Sequence, residues 1–146
     1  MKFRRIEKTD LKNCSELYAQ VFSLAPWNEP WTAQAALERL SHFYESLGFC
    51  GVLVESEAVL GFALGNAEPF HTETLFYLRE MCISPKHQCQ GLGGRLYASL
   101  EKEISLMNVK SIYLATERAI PASNFYIKNG FRHAEEMGFY AKHVNS

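Results

Sequence analysis

Seven residues carry the clearest chemistry in the chain. Gln88-Cys89-Gln90-Gly91-Leu92-Gly93-Gly94 places three glycines in four positions. The segment follows the apolar run Met81-Cys82-Ile83 and the breaker Ser84-Pro85. It precedes a stretch in which Leu92, Leu96, Leu100 and Ile104 repeat every four residues, with Met107 continuing the face. The pattern reads as a strand ended by proline, a polar loop, and an amphipathic helix opened by glycines. The first amides of a helix have no internal partners and carry the positive end of its dipole. Glycine lets an anion reach those amides, because no side chain stands in the way. Inside a helix each glycine costs about 0.8–1.0 kcal/mol relative to alanine. A plain helix start is therefore the less favoured reading. A diphosphate is expected against the backbone of Gln88, Cys89, Gln90, Gly91, Leu92, Gly93 and Gly94. Lys86, Arg95 and Lys128 are cations available to it, set against the commoner role of solvated charge.

Two familiar diphosphate motifs do not fit. A Walker loop needs Lys-Ser or Lys-Thr after its last glycine, and Arg95-Leu96 stand there. A dinucleotide fingerprint needs a small residue where Leu96 lies, and a tighter turn. What remains is Gln-x-x-Gly-x-Gly. ATP on the same glycines is a weaker alternative, since no Ser or Thr follows to hold magnesium.

A second candidate is Glu80. It interrupts Leu75-Phe76-Tyr77-Leu78 and Met81-Cys82-Ile83, where a carboxylate is costly unless paired. Two readings stand level: a general base, or an ion pair with the Arg79 side or a neighbouring strand. Trp27 and Trp31 lie in a Pro- and Asn-containing loop. They either bind a ligand or plug the gap between helices. Cys14 and Cys50 read as small core residues, and packing is the default for Cys82 and Cys89. No base stands beside either of the last two, which disfavours a covalent route. The cysteines form no CxxC pair, and the histidines lack ligand spacing, so no metal site is expected.

The net charge of −1 gives no basic field for nucleic acid or an anionic membrane surface. The first residues lack an apolar run for a secretion signal, and no stretch approaches the roughly 18 apolar residues of a membrane span. A cytoplasmic protein with reduced thiols is the expectation.

The elements that must position these groups follow from periodicity. A short strand is expected over 3–7. A helix capped by Thr9 or Asp10 should bury Leu11, Cys14, Leu17, Tyr18, Val21 and Phe22. A second, capped by Thr32, carries Ala36, Leu37, Leu40, Phe43, Tyr44 and Leu47 on one face and stops at Gly48. Strands over 49–55 and 59–67 form a hairpin across Ser56-Glu57, with Gly61 and Gly65 as candidate bulges. A long strand runs over 74–83, then the glycine-opened helix over 91–107. A strand over 112–115, a helix over 121–129 and a strand or hairpin over 131–143 complete the order β–αα–βββ–α–β–α–β. The fold class is α/β, more closely mixed α+β. A central mixed, mostly antiparallel sheet is flanked by about four helices, and the strands over 74–83 and 112–115 run parallel. Residues 1–146 are expected to form one domain.

Gln88-Cys89-Gln90-Gly91-Leu92-Gly93 after Ile83-Ser84-Pro85 resembles the acetyl-CoA motif of the Gcn5-related N-acetyltransferase (GNAT) superfamily. Ala122-Ser123-Asn124-Phe125-Tyr126-Ile127-Lys128-Asn129-Gly130-Phe131 resembles its Asn-x-x-x-x-Phe-Tyr-x-x-x-Gly-Phe helix, with the Asn closer to the Tyr than in many members. The element order matches the family fold over the whole chain. The resemblance implies that the parallel pair splays and that the pantetheine arm of acetyl-CoA slots between its strands. Main-chain groups near Cys82 and Ile83 would meet that arm, and Asn124 would contact it. Tyr126 would lie near the thioester sulfur and protonate the leaving thiolate. A phenol with an ordinary pKa near ~10 suits that task. Glu80 would take a proton from the amine through water, with Glu117 next in line, while Trp27 and Trp31 cover the acceptor. The implied reaction is direct ternary-complex transfer to a primary amine of a small molecule or peptide, without metal. The alternative is an acyl-CoA-binding sensor that has lost turnover. Dimers are common in the superfamily. Glu29, Glu68, Glu73, Glu80 and Glu117 suit either a cationic amine or a solvated surface.

Overall fold

The computed structural model describes residues 1–145. The chain divides after Leu114 into two compact units. The first holds β1 (Lys2–Arg5), α1 (Leu11–Phe22), α2 (Ala33–Glu45), β2 (Phe49–Glu55), β3 (Val59–Phe70), β4 (Glu73–Ile83), α3 (Leu92–Ser105) and β5 (Val109–Tyr113). The second holds α4 (Pro121–Lys128).

Strand order in the sheet is β1-β2-β3-β4-β5. All neighbours are antiparallel except β4 and β5, which run parallel as expected. The β4–β5 register covers only Thr74↔Val109 to Tyr77↔Tyr113. Beyond Tyr77, the half of β4 from Leu78 to Ile83 has no strand partner on that side among the described residues.

Both glycines singled out in the sequence adjoin a register shift. Leu60 is the extra residue of β3 beside Gly61. Gly65 pairs with Leu78 while Leu64 pairs with Glu80, so Arg79 is the extra residue of β4. A Cβ on Gly65 would run into the Tyr77 carbonyl. The Arg79 bulge has a directional consequence, because side chains alternate across a strand and an inserted residue inverts the alternation. Glu80 and Cys82 thereby share the face of Phe62 and Leu64.

That face packs on α1 and α2. Leu11, Cys14, Leu17, Tyr18, Val21 and Phe22 of α1 and Ala36, Leu40 and Phe43 of α2 form one cluster with Leu53, Phe62, Leu64 and Cys82. The opposite face takes α3, which packs on β2 and β3 through Leu96, Leu100 and Ile104. Each such fully buried side chain contributes about 1.5–3 kcal/mol relative to exposure.

Local differences from the sequence reading have identifiable causes. β1 stops at Arg5 rather than at Glu7. Asp10 accepts the Glu7 amide at 2.7 Å and winds residues 8–10 into a short turn. The Asp10 side chain is occupied there and by both terminal nitrogens of Arg4, at 2.7 and 2.8 Å, so it does not cap α1. Thr32 does cap α2, accepting the Ala35 amide at 3.0 Å, but the helix ends at Glu45, so Leu47 lies beyond it and is exposed instead of joining the buried face. α3 ends at Ser105, and β5 begins at Val109, three residues before the expected strand, and ends at Tyr113, two short of Ala115. Cys14, Cys50 and Cys82 are buried, whereas Cys89 is exposed, so the packing reading fails for Cys89.

The expected strand over 131–143 is absent from the described residues. Met137 donates its amide to Ala134, and Arg132 pairs with Glu136 one helical turn away in sequence. Met137, Phe139, Tyr140 and Val144 are exposed. Loose alternation without a buried face does not sustain a strand. No described helix is long and apolar enough to cross a membrane.

Candidate functional site

The loop between β4 and α3 is set by a chain of local hydrogen bonds. The Ser84 amide donates to Leu60 at 2.7 Å and anchors the strand end. Residues 85–87 make one tight turn, with the His87 amide on the Ser84 carbonyl at 2.8 Å. The Gln88 side chain donates to the Ile83 carbonyl at 3.0 Å, and Gln90 to the Lys86 carbonyl at 3.2 Å. These glutamines therefore brace the loop. Cys89 and Gly91 both take left-handed backbone, with φ of 59° and 77°. Gly91 is the residue before α3, and no side chain caps the helix start. Space around Gly91 is open, since a Cβ there would meet nothing within 4 Å. The α3 amides at Leu92, Gly93 and Gly94 precede the first intrahelical bond, from Arg95 to the Gly91 carbonyl at 3.3 Å. Arg95 is exposed, with its guanidinium 4.9 Å from the Phe3 ring centre. This is a backbone site fit for an anion.

Glu80 sits in a different kind of environment. Its side chain is 9% exposed. Arg39 of α2 donates from Nε to Glu80 Oε1 at 2.6 Å, and the Tyr18 hydroxyl of α1 donates to the same oxygen at 3.1 Å. Both contacts fall on Oε1, and Oε2 receives neither. Burial pushes the Glu80 carboxyl above its ordinary range, and the Arg39 charge and hydrogen bonds pull it only part of the way back. Burial, and then the Glu80 charge, push the Tyr18 phenol well up, so Tyr18 stays a donor. The expected ionic partner was on the Arg79 side or on a neighbouring strand, and Arg39 of a helix takes that place. The Arg79 side chain is exposed, its guanidinium 3.9 Å from the Tyr77 ring centre and 5.3 Å from that of Phe43. The bulge explains the difference, because it sends Glu80 into the α1–α2 layer.

Trp31 and Trp27 stand at the edge of this layer. Trp31 meets Tyr18 edge to face at 4.9 Å, and Trp27 meets Phe22 at 4.8 Å. Both are partly buried against the core. Trp31 also donates to Glu29 at 3.2 Å and lies 6.0 Å from the Arg39 guanidinium. The tryptophans thus plug the α1–α2 loop while keeping part of their surface exposed. Cys82 is buried, and burial holds its thiol well above the ordinary value, as expected of a packing residue.

Sequence reasoning missed Tyr18 and Arg39 as partners of Glu80. Tyr18 was visible as the aromatic hydroxyl on the α1 stripe, which needs a partner when buried. Arg39 lies three residues after Ala36 and one before Leu40, at the margin of the α2 stripe.

The second unit is described by itself. α4 starts at Pro121, and its end is a hydrogen-bonded stop. The Phe131 amide donates to Tyr126 at 3.0 Å and the Gly130 amide to Ile127 at 3.1 Å, with Gly130 at φ 94°. The apolar contact that accompanies such a stop is Tyr126 against Phe131, ring centres 5.5 Å apart. The Gly-Phe of the second motif therefore sets the end of α4 and one side of the Tyr126 ring. Asn124 and Tyr126 are two residues apart on α4, and side chains at that spacing face different sides of a helix. Among the described residues no group of three His, Cys, Asp or Glu side chains is placed to hold a metal.

Comparison with known proteins accords with this geometry. The sequence model of the "Acetyltransferase (GNAT) family" matches residues 11–131. No curated protein matches. Among solved structures, the chain is similar to an integron cassette protein from the mobile metagenome of V. cholerae, at 21% identity over 99% of this chain and 93% of that one, TM-score 0.80. It is similar to the aminoglycoside acetyltransferase meta-AAC0020 from an uncultured soil metagenomic sample, solved with sisomicin, at 14% identity over 99% and 96%, TM-score 0.77. It is also similar to AAC(6')-Iy bound to a bisubstrate analogue of CoA and acetylneamine, at 17% identity over 98% of each chain, TM-score 0.75. At these identities the likeness establishes the fold.

Proposed function

The chain belongs to the GNAT family of acetyltransferases, and from that premise we propose that residues 1–146 act as one domain that transfers an acetyl group from acetyl-CoA to a primary amine. The acceptor is a small molecule or peptide, and transfer is direct in a ternary complex. The observation that carries the reading is the continuity of β4, the loop and α3. A strand edge from Leu78 to Ile83 that has no strand partner among the described residues runs directly into a glycine-opened helix start whose first amides lack intrahelical partners. The first suits an extended amide-bearing arm and the second a diphosphate, and CoA has both in that order. A cytoplasmic setting belongs to the same proposal, since free thiols such as Cys89 stay reduced there.

Acetyl-CoA would supply the activated acyl group as a thioester. Gln88, Cys89, Gln90, Gly91, Leu92, Gly93, Gly94 and Arg95 bind its diphosphate, chiefly through backbone amides. Main-chain groups of Cys82 and Ile83 and the Asn124 side chain hold the arm. Glu80 accepts a proton from the amine at Oε2, directly or through one water, while Arg39 and Tyr18 fix Oε1. Tyr126 donates a proton to the departing sulfur from its hydroxyl. Trp27 and Trp31 bound the acceptor side.

The test is thiol release from acetyl-CoA across a panel of primary amines. Release that requires an amine supports transfer. A second reading, an acyl-CoA sensor, draws on one observation. Arg39 at 2.6 Å from Glu80 is what a purely structural carboxylate would also have. Calorimetric binding of acetyl-CoA with no amine-dependent release would favour the sensor.

A further inference from the structure

The register of β4 shows which main-chain groups its open edge presents. Ser84 donates its amide to the Leu60 carbonyl at 2.7 Å, so these two residues form a hydrogen-bonded pair. Bonded and non-bonded pairs alternate along antiparallel strands, and the next pair, Ile83 with Gly61, is of the non-bonded kind. The Ile83 amide and carbonyl therefore point away from β3, to the side where β4 has no strand partner among the described residues beyond Tyr77. Ile83 is also the last residue of β4, and so the one nearest the glycine loop. Its carbonyl is already engaged, because Gln88 Nε2 donates to it at 3.0 Å. Ile83 is buried and Gln88 is exposed, so the bond joins a main-chain acceptor of the strand to a side chain at the surface. The N–H of a side-chain carboxamide is the same kind of donor as any amide N–H. The arm of CoA carries two such amides, and an arm that leaves a diphosphate in the loop meets Ile83 first.

Resting on the transfer reading above, we propose that the Gln88 side chain is a latch on the donor slot: it holds the Ile83 carbonyl in the donor-free protein and yields it to an amide N–H of the CoA arm. The exchange costs little, because one amide hydrogen bond replaces another and the released carboxamide turns to water. The nucleotide half of CoA ends before the arm and leaves the latch closed. Gln88 thereby separates two steps of donor recognition. The backbone of the loop meets the diphosphate, which any nucleotide diphosphate shares. The edge of β4 opens only to a donor that carries the arm.

Crystal structures of the whole chain with CoA and with its nucleotide half, 3′-phospho-ADP, test the exchange directly. The Gln88 carboxamide should leave the Ile83 carbonyl in the CoA complex and remain on it in the nucleotide complex. A carboxamide still bonded to Ile83 in the CoA complex would overturn the proposal, since the carbonyl then accepts both donors at once. Calorimetry on Gln88→Met gives a second measurement, because methionine keeps the length of the side chain and lacks the donor. The ratio of CoA affinity to 3′-phospho-ADP affinity should rise about three- to tenfold over wild type, the scale of one net hydrogen bond. Taking the ratio removes any loss of loop bracing, which both ligands feel. An unchanged or lower ratio would count against the latch. CoA bound by neither protein removes the donor reading and the latch with it, whereas CoA bound with Gln88 still on Ile83 removes the latch alone.

Discussion

The glycine loop and the Glu80 pocket lie at the two ends of one short stretch of chain, yet they are built on opposite principles. The loop uses neighbouring residues, backbone donors, left-handed turns and open space. Its glutamine side chains serve as braces. The pocket uses side chains from three elements distant in sequence, drawn into an aromatic layer around one carboxylate oxygen. The contrast suits the two halves of an acyl transfer. A diphosphate is the same in every donor and can be met by backbone alone. An acceptor varies, and side chains are what variation can change.

Variants can break this division. The largest effects belong to proton transfer. Tyr126→Phe keeps the ring packed on Phe131 and removes only the hydroxyl, so turnover should fall about 10²–10⁴-fold with acetyl-CoA affinity unchanged. Steady-state kinetics with calorimetry would check it, and wild-type turnover would make Tyr126 a packing residue. Glu80→Gln keeps the side-chain shape and one acceptor for Arg39 and Tyr18. Its rate should fall within a similar range, and the acidic limb of the pH–rate curve should disappear. An unaltered pH profile with a lower melting temperature would assign Glu80 to structure and move the base to Glu117.

On the donor side, Gly93→Val should weaken acetyl-CoA binding about a hundredfold, the scale of a displaced binding group, while a valine within α3 costs little in helix propensity. Gly91→Val is the less clean probe. Gly91 has φ 77°, where a β-branched residue is strained whatever the ligand does. Unchanged affinity in Gly93→Val would remove the diphosphate from this loop.

The two ends of the fold also differ in the sign of their pH dependence, which gives the smallest predicted effects. Glu80 is held above its ordinary value, chiefly by burial. Its contribution to stability is full at low pH and is lost as pH rises through the folded-state value. The advantage of wild type over Glu80→Gln in thermal melts should therefore shrink as pH rises. Asp10 is held below its ordinary value by the Arg4 hydrogen bonds. Its contribution is present above pH about 4 and is lost as pH falls below that. Asp10→Asn should flatten the acid side of the stability curve. A pH slope of the same sign at both sites would contradict the burial account of Glu80.

The same contrast explains what the sequence made legible. The loop was readable because its chemistry is contiguous: the glycines, the proline and the four-residue leucine repeat all lie within a few turns of chain. The strand and helix order was readable from periodicity, and Thr32 capped the helix that its position suggested. The partners of Glu80 were not readable. They depend on a one-residue bulge at Arg79 that decides which face the carboxylate takes, and on helices 41 and 62 residues away. Gly65 signalled an irregularity without saying which strand held the extra residue. The tail over 131–143 misled because its aromatic and apolar residues alternate loosely without a face to bury.

The most direct test of acyl transfer follows the acetyl carbon itself. Acetyl-CoA labelled with ¹³C at the carbonyl is incubated with the protein and an amine acceptor, and the carbonyl signal is followed by NMR. The account predicts that the thioester resonance is replaced by an amide resonance, one acetylated amine for each free thiol, at a rate that depends on the amine. A thioester signal that persists while acetyl-CoA is bound, or one that converts to acetate irrespective of the amine, would contradict it.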